Sequence, residues 1–211
     1  MLVRPDERAP LARLLQFLEH GERLAHDCAR AQAALAPDAG ARCFLAGQAR
    51  QEALHAAVFQ GAVLWLAPRR LGACPVLPPL ERYRALIEEA IRERRFAETL
   101  LAEQIILEGL GEAILKRLEA GLAKRKAGFG RLRRILLHQE EAHHAFGSRA
   151  LEKTIAAGQA APEVLRERAP EYLAVADKMV LALGDLFASI DEDADAYIKD
   201  ARAALPAWLV Q

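Results

Sequence analysis

"HQEEAHHAFG", residues 138–147, crowds two glutamates and two histidines into a stretch that reads as a helix. Residues three apart share a helix face, so Glu140 can stand with His143, or Glu141 with His144. Taken alone, one Glu-x-x-His is an ordinary feature of a solvated helix face. An earlier stretch repeats it: "QEALHAA" at 51–57 echoes "QEEAHHA" at 139–145 and offers Glu52 and His55 at the same spacing.

Working outward, proline and glycine divide the chain into long apolar-periodic stretches. The spacing predicts helices over about 11–35 and 41–66, joined by the turn PDAG. Residues 68–79 hold four prolines and read as irregular. A shorter helix over about 80–94 then carries the chain across the fold, with a break expected near Arg95. A third long helix follows to about Gly121, a fourth over about 131–157, and two more beyond GQAAP. No strand-like alternation is present. The fold class expected is all-α: two helical hairpins joined by a long crossover between helices 2 and 3, plus two C-terminal helices. The chain reads as one domain over 1–211, with a bundle over 11–157 and an extension over 162–211.

Composition agrees. Apolar residues make up 53% of the chain and aromatics only 6%, the profile of an Ala- and Leu-rich helical protein. Lys+Arg and Asp+Glu are both 29, so net charge gives no general argument for nucleic acid or an anionic membrane. The basic run KRKAGFGRLRR at 124–134 reads as a charged turn and helix end rather than an RNA-binding patch. Three cysteines without a C-x-x-C pair read as reduced core thiols. The N-terminus is polar and unlike a secretory leader, and no apolar run is long enough to span a bilayer, so the expected location is the cytoplasm, with no membrane partner.

Both Glu-x-x-His motifs fall on the second helix of a hairpin. A two-metal site in a bundle core needs one further glutamate from each partner helix. On the first helix Glu22 lines up with Leu15, Leu18, Ala25 and Ala29, whereas Glu19 shares its face with Gln16, Arg23 and His26 and reads as solvent-facing. On the third helix the choice is Glu103, Glu108 or Glu112, and Glu108 stacks with Leu101, Ile105 and Leu115. Glu22 stands 30 positions before Glu52, and Glu108 stands 32 before Glu140, so the hairpins agree in separation. The apolar resultant of the fourth helix lies closer to Glu140 and His143, which line up with Leu132, Leu136, Gly147 and Ala150. Glu141 and His144 remain the alternative, because Glu141-Ala142 matches Glu52-Ala53 in the repeat. Gly109 and Gly111 beside Glu108 suggest a helix distortion, an approaching substrate or a close helix contact.

Glu22, Glu52-x-x-His55, Glu108 and Glu140-x-x-His143 together resemble the six-ligand pattern of the ferritin-like di-iron carboxylate superfamily, over residues 11–157. The resemblance implies a ferritin-like four-helix bundle binding two iron ions, or manganese, through those six residues, the metal centre itself being the catalytic entity. It implies an O2-dependent oxidoreductase, a hydroxylase or oxidase, acting on a small apolar or aromatic substrate, with electrons from a separate donor. The alternatives are a ferroxidase or iron-handling protein, a ferritin-like protein with an empty or single-metal site, and a tRNA-modifying hydroxylase. Phe59 stands where the radical-forming members carry tyrosine, so a stored radical is not expected there. Trp65 and Trp208 are expected in the core or at the contact of a homodimer.

Overall fold

The computed structural model describes residues 3, 5–6, 8–67, 71, 74–124, 130–189 and 192–209, and among these it is all-helical, without strands. Helix α1 (Arg8–Leu35) and helix α2 (Ala39–Leu66) form the first hairpin and pack along their length. Only residues 36–38 separate them, which makes them antiparallel neighbours. Asp38 caps α2, its carboxylate accepting the Ala41 amide at 2.8 Å, which satisfies a donor that the helix start leaves free.

Helix α3 (Leu77–Arg92) follows the Pro-rich stretch and packs on α1 and on α7 (Pro162–Leu181). It starts three residues before the expected Leu80. Pro78 and Pro79 lie in its first turn, where no intrahelical amide bond is lost. The break expected near Arg95 is present: Arg94 adopts a φ of 58°, and the chain restarts as α4 (Phe96–Leu100).

The second hairpin departs from regular geometry. Between α4 and α5 (Glu108–Lys124), residues Leu101–Leu107 form a π-helix whose side chains are all buried. The amide of Glu108 donates to the carbonyl of Glu103, five residues back. Tyr83 of α3, fully buried, donates its hydroxyl to the Ala102 carbonyl at 2.5 Å and so ties the crossover to the widened turn. The distortion therefore precedes Gly109 and Gly111, at which an added Cβ meets only ordinary contact or open space.

Helix α6 (Gly130–Ala156) packs on both α5 and the π-helix. The close approach belongs to Gly147, where a Cβ would sit 2.1 Å from the Cβ of Gln104. The helix ends at Gly158, φ 67°, with the Gly158 amide on Ile155 O and the Gln159 amide on Thr154 O, the paired bonds of a left-handed glycine terminus.

Beyond it α7 begins eight residues before the expected PEYLAV stretch and takes Pro170 into its body, on the exposed side. Helices α8 (Gly184–Ser189) and α9 (Ala194–Ala203) and a 3-10 turn (Ala207–Leu209) complete the chain. No described helix is long and apolar enough to cross a membrane.

Three expectations for single residues are corrected. Cys43 is exposed, although Cys28 and Cys74 are buried as expected. Trp65 is 56% exposed, with the Arg8 guanidinium over its ring, so the core half of its expectation is withdrawn and the homodimer contact stands as an expectation. Glu19 is buried rather than solvent-facing, because Arg23 and His20 fold over its carboxylate. Residues 125–129 of the basic run lie outside the described residues.

Candidate metal centre

The four segments that bear the candidate ligands converge on one buried cluster. Glu22 comes from α1, Glu52 and His55 from α2, Glu108 from the first position of α5, and Glu140 and His143 from α6. All six are buried, with Glu52 wholly inaccessible and His55 and His143 each 1% exposed. The register question on α6 resolves structurally: Glu140 and His143 point inward, whereas Glu141 is exposed and His144 turns to the Glu112 carboxylate at 2.9 Å.

The six residues form two overlapping groups. Glu22, Glu52, His55 and Glu140 make one, and Glu52, Glu108, Glu140 and His143 the other; within each, ligand atoms lie within 4.8 Å of one another. Glu52 and Glu140 belong to both, and their oxygens divide accordingly. Glu52 Oε2 is 3.0 Å from His55 Nδ1, and Oε1 is 2.8 Å from His143 Nδ1. Glu140 Oε1 is 2.9 Å from His55 Nδ1, and Oε2 is 4.0 Å from His143 Nδ1. Glu22 adds an oxygen 3.3 Å from His55 Nδ1, and Glu108 one 3.8 Å from His143 Nδ1. Glu52 and Glu140 thus reach both groups, and each group has a further glutamate and imidazole of its own.

Crowded buried carboxylates dominate the electrostatics of the cluster. Burial, followed by the charges of Glu140 and Glu52, pushes Glu22 well above the usual carboxylate range. Glu108 rises for the same causes in the same order. Burial alone would raise Glu52 as well, but the His143 and His55 imidazoles, set against its two oxygens, outweigh it and hold this carboxyl at about 2. Among the described residues no Lys or Arg forms an ion pair with any of these four glutamates. Both Glu52 oxygens, Glu140 Oε1, His55 Nδ1 and His143 Nδ1 lack hydrogen-bond partners although buried. Unpaired buried carboxylates are costly, and metal coordination is one of the few arrangements that offsets the cost. The donors are hard carboxylate oxygens and imidazole nitrogens, which suit Fe(II) or Mn(II). These buried groups could hold metal ions.

The outer atoms of the imidazoles reveal residues that the choice of ligands had passed over. His143 Nε2 lies 2.7 Å from Gln51 Oε1, and His55 Nε2 lies 2.8 Å from Gln139 Oε1. Each glutamine precedes the glutamate of one motif and accepts from the histidine of the other. An amide oxygen that accepts from Nε2 fixes the ring so that Nδ1 is the nitrogen turned to the carboxylates. The signal was in the repeat, since both copies read Gln-Glu-x-x-His.

A second buried glutamine relay reaches Glu108. Gln48 Nε2 donates to Glu108 Oε1 at 2.7 Å, while Gln104 and Gln32 exchange bonds of 2.7 and 3.0 Å behind it. Phe44 stacks on Phe146 at 3.9 Å and sets its edge toward the His143 ring. No protein-family model and no curated protein matches this chain.

Proposed function

We propose that this protein is a di-metal carboxylate protein of ferritin-like architecture that acts as an O2-dependent oxidoreductase. The observation that carries the reading is the sharing of Glu52 and Glu140 between two four-residue groups, each completed by its own glutamate and histidine. Two iron ions, or manganese ions, would supply the redox chemistry with O2. Four carboxylates and two neutral imidazoles would offset the charge of two divalent cations.

The chain's own part is to hold and shield that chemistry. Glu22, Glu108, His55 and His143 would hold the ends of the pair, and Glu52 and Glu140 would set its spacing. Gln51 and Gln139 fix the rings. The Phe44–Phe146 stack, whose edge meets the His143 ring, would help to keep bulk water out.

An organic substrate is favoured over iron handling by a cleft of about 200 Å³ beside the ligand-bearing segments. Ile105 of the π-helix, His144 and Leu151 of α6, and Trp208 line it, with Ser148 and Glu152 as polar groups. Its volume is below the usual range for drug-sized ligands, so it suits a small apolar or aromatic molecule. A separate protein would deliver the electrons, since the sequence holds no nucleotide-binding fingerprint.

Oxygen uptake by the Fe(II)-loaded protein, with a chemical reductant and a panel of small aromatics, tests the reading. Uptake that continues beyond the iron present and yields an oxidised aromatic supports it. Uptake that stops when Fe(II) is exhausted would assign the protein to iron handling, and none at all would overturn both.

A further inference from the structure

Glu103 has no place among the six ligands, yet it is fully inaccessible and neither of its carboxylate oxygens has a hydrogen-bond partner. No other residue in the π-helix combines burial with an unpartnered charge-bearing group. Its surroundings identify what it faces: burial first, then the charges of Glu52 and Glu140, push it well above the usual range, and the adjacent Glu108 carboxyl offsets only part of that rise. Glu22 is not among the groups acting on it.

The position follows from the local fold. In a regular helix, residues five apart diverge by about 140°. The π-turn replaces that geometry with a bond from the Glu108 amide to the Glu103 carbonyl, and the Glu103 and Glu108 carboxyl groups are close neighbours. Gly147 then lets the π-helix press against α6, since any side chain there would collide with Gln104. A buried acid without a donor is costly in a core of this kind, and two features of the fold, the π-turn and the close approach at Gly147, accompany it.

We propose that Glu103 is a seventh protein ligand, a carboxylate that joins the subsite of Glu52, Glu108, Glu140 and His143 when that subsite holds a divalent cation with a preference for oxygen donors. The proposal rests on the reading of the cluster as a metal centre. Glu103 stands outside the two groups whose atoms already converge, so it joins by rotation of its side chain, and only the subsite nearest to it gains a donor. The other subsite, built on Glu22 and His55, is untouched.

The test is an oxygen-free titration of the full chain with Co2+ and with Mn2+, comparing the native protein with Glu103→Gln and Glu103→Ala. Calorimetry reads the binding steps, and visible absorption reads the cobalt coordination. The native protein is expected to bind in two steps. In both variants one step weakens tenfold or more and its cobalt spectrum changes, while the other step is retained. The metal-free Glu103→Gln protein melts no lower than the native one, because an unpaired acid has been replaced by its neutral isostere. Two unchanged steps with an unchanged spectrum overturn the proposal and leave the metal centre standing. Loss of both steps together with a lower melting point shows a packing role and also overturns it. A native protein that binds neither ion overturns the proposal and the underlying centre together.

Discussion

Gln51 accepts a hydrogen bond at 2.7 Å from Nε2 of His143, the histidine of the other Glu-x-x-His motif. Gln139 returns the relationship to His55 at 2.8 Å. The two motifs are thereby cross-braced, each supplying the partner that orients the other's imidazole. Partners of this kind are typically worth 10- to 100-fold in metal affinity. Gln51→Leu and Gln139→Leu are each expected to weaken metal binding by about that factor while leaving the helical content intact. Metal titration followed by circular dichroism checks this, and unaltered affinity in both would show that the brace has no part in holding metal.

His143 and its neighbour separate a ligand from a bystander. His143→Ala removes a nitrogen that faces Glu52 at 2.8 Å inside the cluster. His144→Ala removes one that pairs with the half-buried Glu112. Metal content is expected to fall in the first and to persist in the second. The reverse result would place the wrong face of α6 inward.

Gly147 should be the least replaceable of the described glycines. Its added Cβ would lie 2.1 Å from Gln104, so Gly147→Ala must push α6 away from the π-helix. Overpacking of this kind costs about 1–3 kcal/mol, or a fall of several degrees in melting temperature for a chain of this size. At Gly111 nothing stands within 4 Å of the added Cβ, and Gly111→Ala is expected to stabilise its helix by about 0.5–1 kcal/mol. Paired thermal melts decide between these signs.

The pH response of the metal-free protein has two limbs. Glu22, Glu103 and Glu108 have folded-state values raised above the ordinary 4.5. Their contribution to stability is fully present below 4.5 and is lost as pH rises through the folded values. Glu52, held at about 2, behaves oppositely: its contribution is present above 4.5 and is lost as pH falls toward 2. The metal-free protein is therefore expected to melt highest in mildly acidic solution and to weaken toward neutrality. Divalent metal replaces the protons, so the loaded protein should lose the neutral-side decline and release protons on loading. Melting temperature from pH 2 to 8 with chelator, and over the neutral range with Mn2+, reads both limbs.

Helical periodicity carried much of this site. Glu22 and the Glu140–His143 face were legible because each lies in line with apolar residues that must be buried. Glu19 was misread because its cover comes from Arg23 and His20, polar residues whose packing has no periodic signature. The π-helix was illegible for a different reason. A shift from four-residue to five-residue bonding leaves composition unchanged, and a regular projection separates Glu103 from Glu108 where the fold unites them. Pro78 and Pro79 hid the start of α3 because prolines that break a helix interior are tolerated in its first turn. The glutamine braces were present in both copies of the repeat, but their partners became visible only once the hairpins were docked.

The central claim is that Glu52 is shared by two metal subsites, one oxygen toward each histidine. The measurement that tests it most directly is the metal content of the protein loaded with Fe(II) in the absence of O2, native against Glu52→Ala. About two ions per native chain are expected, and both should be lost together in the variant, since the missing carboxylate serves both positions. A native chain that takes up no iron, or a Glu52→Ala chain that keeps both ions, would contradict it.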